Sequence, residues 1–448
     1  MSVASHSATP SSPERWDSSY EWKIILLLTI AFGLVGLDRW VLPPLFAASM
    51  GADLHLNPAD LGNLVGILGI AWGVSAIFMG GLSDRLGRRK VLVPSIVVFS
   101  CLSILSGLAT GFLSLLVIRA IMGVSEGPVA SVGVAVAIEA SHPKRRGMNN
   151  GMFQCAFALF GLAFAPIIAT QLLRVTSWRH VFMLVGIPGL IVALFMGLVL
   201  REPAHMTAGP KRERVPFRAI FQHRNVLLGM FGLLCAMTGI FVLSAMMPSY
   251  LTAYLKLDAQ KMGFVTSAIG FGGFLGQFLI PTISDLFGRR LVAVLSFLLA
   301  AVFLWLFIHT GVNLPVLFAL LFVASWANFG ALALIAGPLA AEAAPMGMIS
   351  SVAGLVIGAG EIFGGGVAPS IAGGIAQHYG LQYTLWFAMC GQIVGFVIAL
   401  FFRETAPRRA RAGSGSVLDQ PVAAPPVAAP SAAPSELGQP GLPQFDRK

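Results

Sequence analysis

Five ionisable residues interrupt stretches of sequence that are otherwise apolar enough to cross a membrane. They are the carboxylic acids Asp38, Glu126 and Glu361 and the guanidinium groups of Arg39 and Arg119. A charge inside a bilayer is costly, so such residues are functional candidates by default. A buried acid can carry a proton, and a guanidinium can hold a carboxylate through two parallel hydrogen bonds. These residue types therefore predict proton transfer and anion binding within the membrane.

Four of these residues are expected to lie together. Counting along the helices at about 1.5 Å per residue places Asp38 and Arg119 at similar depths, and Glu126 follows Arg119 by two turns on the same helix face. Arg39 can reach toward Glu126, and the net charge of the four is zero, which lowers the cost of burying them. We expect Asp38 and Glu126 to carry protons and Arg39 to bind a substrate carboxylate. The alternative is a salt-bridge cluster that only fixes helix packing.

The composition is that of a membrane protein. Of the 448 residues, 56% are hydrophobic and 11% are charged, and the mean hydropathy is +0.82, whereas soluble domains carry about 25% charged residues. Twelve apolar segments of the length needed to span a bilayer fit between residues 23 and 403. The net charge of +10 lies in short loops between these segments, which excludes nucleic acid as a partner. With the N-terminus inside, most Lys and Arg residues face the cytoplasm, and this predicts a multi-pass inner (plasma) membrane protein with both termini cytoplasmic.

The chain repeats itself after about 201 residues. LSDRLGRRK at 82–90 returns as ISDLFGRRL at 283–291, and Glu139-Ala140 returns as Glu342-Ala343. Such repeats describe transporters built from two halves with the substrate site between them. The predicted organisation is a cytoplasmic tail at 1–22, a six-helix bundle at 23–200, a cytoplasmic linker at 201–225, a second six-helix bundle at 226–403 and a disordered cytoplasmic tail at 404–448.

Two motifs resemble those of known transporters. The stretch GGLSDRLGRRK resembles the loop motif between helices 2 and 3 of the major facilitator superfamily. This implies an all-α membrane fold of twelve transmembrane helices in two six-helix bundles. Asp38-Arg39 with RAIMGVSEGP at 119–128 resembles the anion:cation symporter family, in which the matching Asp and Glu are proton sites and the matching Arg contacts an organic anion. Trp72 stands where members of that family often have a substrate-contacting Tyr.

Several further polar residues in apolar segments are candidate substrate contacts. For the amides the alternative is an interhelical hydrogen bond, and for Glu361 it is a third proton site or a partner for backbone donors. The complete predicted substrate-binding set is Arg39, Trp72, Arg119, Gln154, Gln277, Asn328 and Glu361.

Charged residues at the cytoplasmic membrane edge are predicted to form a gate. Their ion pairs and helix-end contacts would join the two halves and hold an outward-open state. The alternative is a signal for membrane topology alone. The predicted gate residues are Asp84, Arg85, Arg88, Arg89, Glu139, Asp285, Arg289 and Glu342.

The function predicted from these features is proton-coupled symport of a small organic anion, an aromatic, short aliphatic or sugar carboxylate. A proton-antiport exporter of drugs or metabolites and a spinster-like lipid transporter are alternatives on the same fold. An enzyme is not expected, because the apolar segments contain no nucleophile–base pair and no set of metal ligands. The sequence has no GxxxxGK[ST] phosphate-binding loop, so no ATP-driven pumping and no cofactor are predicted. The expected partners are the substrate, protons and the lipid bilayer, and the expected state is a monomer.

Overall fold

The computed structural model describes residues 17–202, 223–343 and 349–405, which are helical and contain no strand. Twelve helices in this part of the chain are long and apolar enough to cross a membrane, which confirms the predicted all-α fold. Most of the predicted tails at 1–22 and 404–448 and of the linker at 201–225 lies outside the described residues. The helices are α1 (Ser18–Asp53), α2 (Pro58–Leu86), α3 (Arg88–Ser106), α4 (Phe112–Ala140), α5 (Arg146–Leu172), α6 (Trp178–Val199), α7 (Arg224–Tyr254), α8 (Ala259–Phe287), α9 (Arg289–His309), α10 (Leu314–Ala343), α11 (Gly354–Tyr379) and α12 (Gln382–Leu400).

The internal repeat extends to the helix starts. Asn57 caps α2 by accepting a hydrogen bond of 2.9 Å from the backbone N–H of Asp60, and Asp258, 201 residues later, caps α8 by accepting one of 2.9 Å from the backbone N–H of Lys261. Side chains of this type satisfy the free N–H groups of a first helical turn. Hydrogen bonds from the Lys261 side chain and backbone lower the pKa of the exposed Asp258 carboxyl.

Helices α1 to α6 pack together as one bundle, and α7 to α12 pack together as a second. In the first bundle, α2 packs against α4 and α3 packs against α6; in the second, the equivalent pairs are α8 with α10 and α9 with α12. Many large apolar side chains remain exposed around the outside, Phe195 and Trp305 among them. Because lipid is the solvent there, an apolar exterior is the expected surface of a membrane bundle.

The two bundles touch along two equivalent seams, α2 against α11 and α5 against α8. We call the end of the molecule where α1 begins the terminal face and the other end the opposite face. Near the opposite face, Gly62 lies against the backbone of Gly373, and Gly69 lies against the backbone of Gly365. Small residues let membrane helices approach to backbone contact, so the α2–α11 seam is closed near the opposite face.

The same seam opens toward the terminal face. Gly80 continues the stripe of α2 that carries Gly62 and Gly69, yet a Cβ atom built on it would meet no atom of the described residues within 4 Å. Phe78 beside it is 71% exposed. The protein is therefore closed between its halves at the opposite face and open at the terminal face.

Replacing Gly270 with alanine is expected to open the opposite face. Gly270 of α8 lies so close to α5 that an added methyl group would collide with the backbone of Ala163, and backbone cannot rotate away as a side chain can. Spin labels at Leu108 and Val312, which are exposed at the opposite face on the two halves, should move apart in this variant. Gly80→Ala is the control, because its methyl group would enter open space. An unchanged distance distribution in Gly270→Ala would show that the seam does not set the conformation.

Candidate transport site

Arg39 lies at the centre of the molecule, 2% exposed, between the two halves. Its guanidinium carbon lies 4.5 Å from the ring centre of Phe241, 5.7 Å from that of Trp40 and 5.9 Å from that of Trp72. Its Nη2 atom is 3.6 Å from Oε2 of Glu361. None of its three guanidinium nitrogens has a hydrogen-bond partner among the described residues. Arg39 is therefore a buried cation that is held by aromatic rings and keeps its donors free.

The surroundings of Arg39 come from both halves. Trp72 on α2 belongs to the first half, whereas Phe241 on α7 and Glu361 on α11 belong to the second. Glu361 lies on a π-helical segment of α11, Gly360–Val367, and segments of this kind are frequent at functional sites. Gly365 in that segment lies against both the Glu361 carboxylate and the Phe241 ring, so a larger residue there would displace the site.

Asp38 is held by a residue that the sequence analysis did not identify. The hydroxyl of Ser103 on α3 donates a hydrogen bond to Oδ1 of Asp38, and Oδ2 has no partner among the described residues. The signal was present in the sequence, since Ser100, Ser103 and Ser106 recur every third residue and therefore share one face of α3.

Arg119 contacts Asp38 differently from the predicted pairing of charges. Its Nη1 atom donates a hydrogen bond of 3.1 Å to the backbone carbonyl of Asp38, and its guanidinium carbon lies 5.5 Å from the ring centre of Phe182. Within the described residues, no N–O distance of 4.0 Å or less joins this guanidinium to the Asp38 carboxylate. The predicted match in depth holds, but helix rotation turns the carboxylate toward Ser103.

Glu126 is fully buried on α4. Neither of its carboxyl oxygens has a hydrogen-bond partner in the described part of the chain, although Asp38, Arg39 and Arg119 all lie within electrostatic range. Arg39 pairs with Glu361 rather than reaching Glu126, so the predicted contact between Arg39 and Glu126 is absent from this conformation. The carboxyl oxygens of Glu126 are thus not occupied by hydrogen bonds from described residues and are available to bind a proton.

The second half has an amide and a glycine at the positions equivalent to the two acids of the first half. Asn328 on α10 follows Glu126 by 202 residues, and Gly239 on α7 follows Asp38 by 201. The buried amides of Asn328 and Gln392 both lie against Gly239, and the Asn328 oxygen and both amide atoms of Gln392 have no partner in the described chain. The sequence analysis missed Gln392, which a lone amide in the apolar stretch of α12 could have indicated.

The other two predicted amides lie on the helices of the α5–α8 seam. Gln154 is exposed on α5, and Gln277 is half-buried on α8. Both lie on the terminal side of the close contact between Ala163 and Gly270. They are therefore not brought into contact with Arg39 in this conformation.

The predicted gate residues form two equivalent clusters at the terminal face. Arg88 pairs with Asp84 at 2.5 Å and with Glu139 at 3.0 Å. Its backbone N–H and that of Arg89 donate to the carboxylate of Glu202 at 3.0 and 2.9 Å, whereas Arg85 is exposed. Glu202, which the sequence analysis left out of the cluster, therefore caps the start of α3.

The second half repeats this cluster. Arg289 pairs with Asp285 at 2.6 Å and with Glu342 at 2.9 Å, and the backbone N–H groups of Arg289 and Arg290 donate to Glu404 at 2.8 and 3.3 Å. These ion pairs of the predicted gate residues lie within one half and not between the halves. The terminal face is open here, so the two clusters are separated in this conformation.

The family model described as Major Facilitator Superfamily matches residues 28–254 and 229–431, which together cover the last part of α1 and all of α2 to α12. The chain belongs to this superfamily. The resemblance of GGLSDRLGRRK to the superfamily's loop motif is thus confirmed, as is the architecture of two six-helix bundles that it implied.

Curated relatives of this major facilitator protein are named transporters. One is a probable L-galactonate transporter of Escherichia coli, 26% identical over 58% of this chain and 61% of its own length. Another is a 4-hydroxybenzoate transporter of Pseudomonas aeruginosa, 25% identical over 64% of this chain and 71% of its own. Both names denote organic anions, which agrees with the resemblance of Asp38-Arg39 and RAIMGVSEGP to the anion:cation symporters.

A solved structure shares the fold. It is the crystal structure of a bacterial homologue of the human lysosomal transporter Spinster, in an inward-facing and unoccupied conformation. The TM-score is 0.71 at 18% identity, and the match covers 85% of this chain and 96% of that one. At this identity the likeness supports the fold alone.

Proposed function

We propose that this protein is a proton-coupled symporter that carries a small organic anion, an aromatic, short aliphatic or sugar carboxylate, across the inner membrane. The proposal includes cytoplasmic termini, so that the open terminal face would face the cytoplasm. The observation that carries it is Arg39, a guanidinium buried at the interface of the halves with no hydrogen-bond partner in the described part of the chain.

Burial of a charged group without hydrogen bonds is costly, and a substrate carboxylate would satisfy two donors of the Arg39 fork at once. The rings of Trp40, Trp72 and Phe241 around it would pack against the body of the substrate. The substrates in the names of the two relatives, L-galactonate and 4-hydroxybenzoate, are both carboxylates and support this class.

Proton coupling is proposed to pass through Asp38 and Glu126. Glu126 has no hydrogen-bond partner in the described chain, and it shares an electrostatic environment with Arg39 and Arg119. A substrate anion bound at Arg39 would offset the positive charge that now favours ionised carboxylates nearby. The acids would then bind protons more readily, so substrate and protons would load together.

The two terminal clusters are proposed to form the gate that closes the cytoplasmic side. Each cluster lies at the end of a seam helix, α2 or α8, whose other end is already in contact with the opposite half. If the halves rock about the transport site, the clusters approach each other as the glycine-lined contacts separate. This is the alternating access typical of transporters built from two halves.

A thermal-shift screen of the purified protein tests the substrate class. The panel would hold sugar acids, hydroxybenzoates, short keto and hydroxy acids, hydrophobic cationic drugs and lysolipids. We expect one class of carboxylate to stabilise the protein, by about 2.7 kcal/mol at a hundred times its Kd, and to do so more strongly at acidic pH because protons load with the anion. Stabilisation by cations or lipids alone would overturn the proposal in favour of an exporter or a lipid transporter.

A further inference from the structure

Arg39, the cation proposed to bind the substrate, already lies beside an acidic side chain of the same protein, Glu361. Glu361 on α11 approaches Arg39 on α1 to 3.6 Å, and the two side chains are 8% and 1% exposed. This distance is longer than a hydrogen bond, and Oε2 of Glu361 has no hydrogen-bond partner within the described residues. The carboxylate therefore accompanies the guanidinium without occupying its donors.

A substrate carboxylate at Arg39 would have to share that guanidinium with Glu361. Two anions beside one buried cation repel each other more strongly than they would in water, because the local dielectric is lower. The five central charged residues, Asp38, Arg39, Arg119, Glu126 and Glu361, sum to −1 when all are ionised. A monoanion would bring the sum to −2 and a dianion to −3, so each further substrate charge adds to the repulsion.

From this geometry we infer that Glu361 determines specificity: it selects monocarboxylates that carry a hydrogen-bond donor away from the carboxylate, and it rejects dicarboxylates. The inference rests on the proposed function, since it assumes that the substrate anion binds Arg39. A hydroxyl or amine on the substrate would donate to the free oxygen of Glu361 and so compensate the repulsion. A second carboxylate has no proton to donate at neutral pH and would face Glu361 directly.

Aromatic rings from both halves surround the proposed substrate position. Phe241 of the second half and Trp40 of the first are in contact, with ring centres 5.3 Å apart, and Trp72, also of the first half, lies beside the same guanidinium. A substrate that reaches both Arg39 and Glu361 must pass between the halves through this aromatic surround. The body of that substrate would then pack against these rings, whether it is a benzene ring or a carbon chain.

Matched ligand sets at pH 7.5 test the inference through apparent dissociation constants from thermal-shift titrations. One set is benzoate, 4-hydroxybenzoate and terephthalate, and the other is gluconate and glucarate. In the unaltered protein, 4-hydroxybenzoate should bind about tenfold or more tightly than benzoate and than terephthalate, as is typical of a hydrogen bond to a charged group. Gluconate should likewise bind about tenfold or more tightly than glucarate. The Glu361→Gln variant keeps the shape of the side chain and removes its charge. In this variant the dicarboxylate should gain affinity, and the differences in affinity between the ligands of a set should become small.

The control variant is Asp258→Asn, which removes an exposed charge outside the helices while keeping a residue able to cap α8. It should keep the ligand order of the unaltered protein. Equal or tighter binding of the dicarboxylates by the unaltered protein would overturn the inference without using any variant. An unchanged order in a folded Glu361→Gln protein would overturn it as well, while leaving the proposed function intact. Failure of every carboxylate to bind would instead overturn the proposed function, and the inference with it.

Discussion

Replacing Arg39 with alanine is expected to weaken carboxylate binding by about thirtyfold or more, since a lost hydrogen-bonded charge partner in a buried site costs roughly 2–5 kcal/mol, and each 1.4 kcal/mol is about tenfold in affinity. The substrate would lose both donors of the fork and would face Glu361 with no cation between them. Thermal-shift titration with the best carboxylate of the panel gives the change in apparent Kd. Arg39→Lys keeps the charge but not the fork, and it should retain part of the affinity.

Arg179→Ala is a matched control for this variant. The Arg179 guanidinium also lies over a tryptophan ring, 4.2 Å from the centre of Trp178, and pairs with an acid, Asp53, at 3.2 Å, but it lies at the opposite face. Its loss should leave carboxylate affinity unchanged. If Arg39→Ala proves too unstable to purify, Arg39→Gln combined with Glu361→Gln removes both charges of the pair and tests the same loss. If Arg39→Ala, or Arg39→Gln combined with Glu361→Gln, binds carboxylates about as tightly as the unaltered protein, the proposed anion site is refuted.

Replacing Glu126 with glutamine is expected to abolish proton-driven accumulation while substrate exchange continues. Glutamine matches the shape of a protonated glutamic acid but cannot release or bind the proton. A gradient of one pH unit is equivalent to about 1.4 kcal/mol, or up to tenfold accumulation for each coupled proton. In proteoliposomes the variant should therefore bring labelled substrate only to equal concentrations on the two sides, and should still exchange internal for external substrate.

The Asp258→Asn protein again provides the control, because its charge lies outside the helices, and it should accumulate substrate normally. Asp38→Asn tests the partner acid in the same assay. Accumulation by Glu126→Gln that follows the pH gradient as in the unaltered protein would assign the proton to another group. If the variant loses both exchange and accumulation, Glu126 is instead required for substrate binding or for the conformational change.

The different polar residues of the two halves indicate different roles for each half in transport. The first half supplies Asp38, Arg39, Arg119 and Glu126, whereas the equivalent positions in the second half include Gly239 and Asn328. The second half contributes one acid to the centre, Glu361. We therefore propose that the first half binds the protons and the substrate carboxylate. The second half would recognise the remaining groups of the substrate, and closure of the halves would bring the two sets of residues together.

The amino-acid sequence by itself determined the architecture. Twelve apolar segments, a basic bias on one side and a repeat of about 201 residues were enough to predict two six-helix bundles. It also singled out Asp38, Arg39, Arg119, Glu126 and Glu361, because charges inside such segments are too costly to occur without a role. Each of these observations depends on residue type and spacing along one helix, which the sequence records directly.

Only the tertiary structure decided which of these groups meet. Arg39 pairs with Glu361 of the other half, Ser103 donates a hydrogen bond to Asp38, and Glu202 caps α3. A helix that is apolar on all sides has no polar face to show how it is rotated in the bundle. The contacts between helices then depend on how glycines and aromatic rings from distant parts of the chain pack together. No single segment of the sequence specifies these contacts.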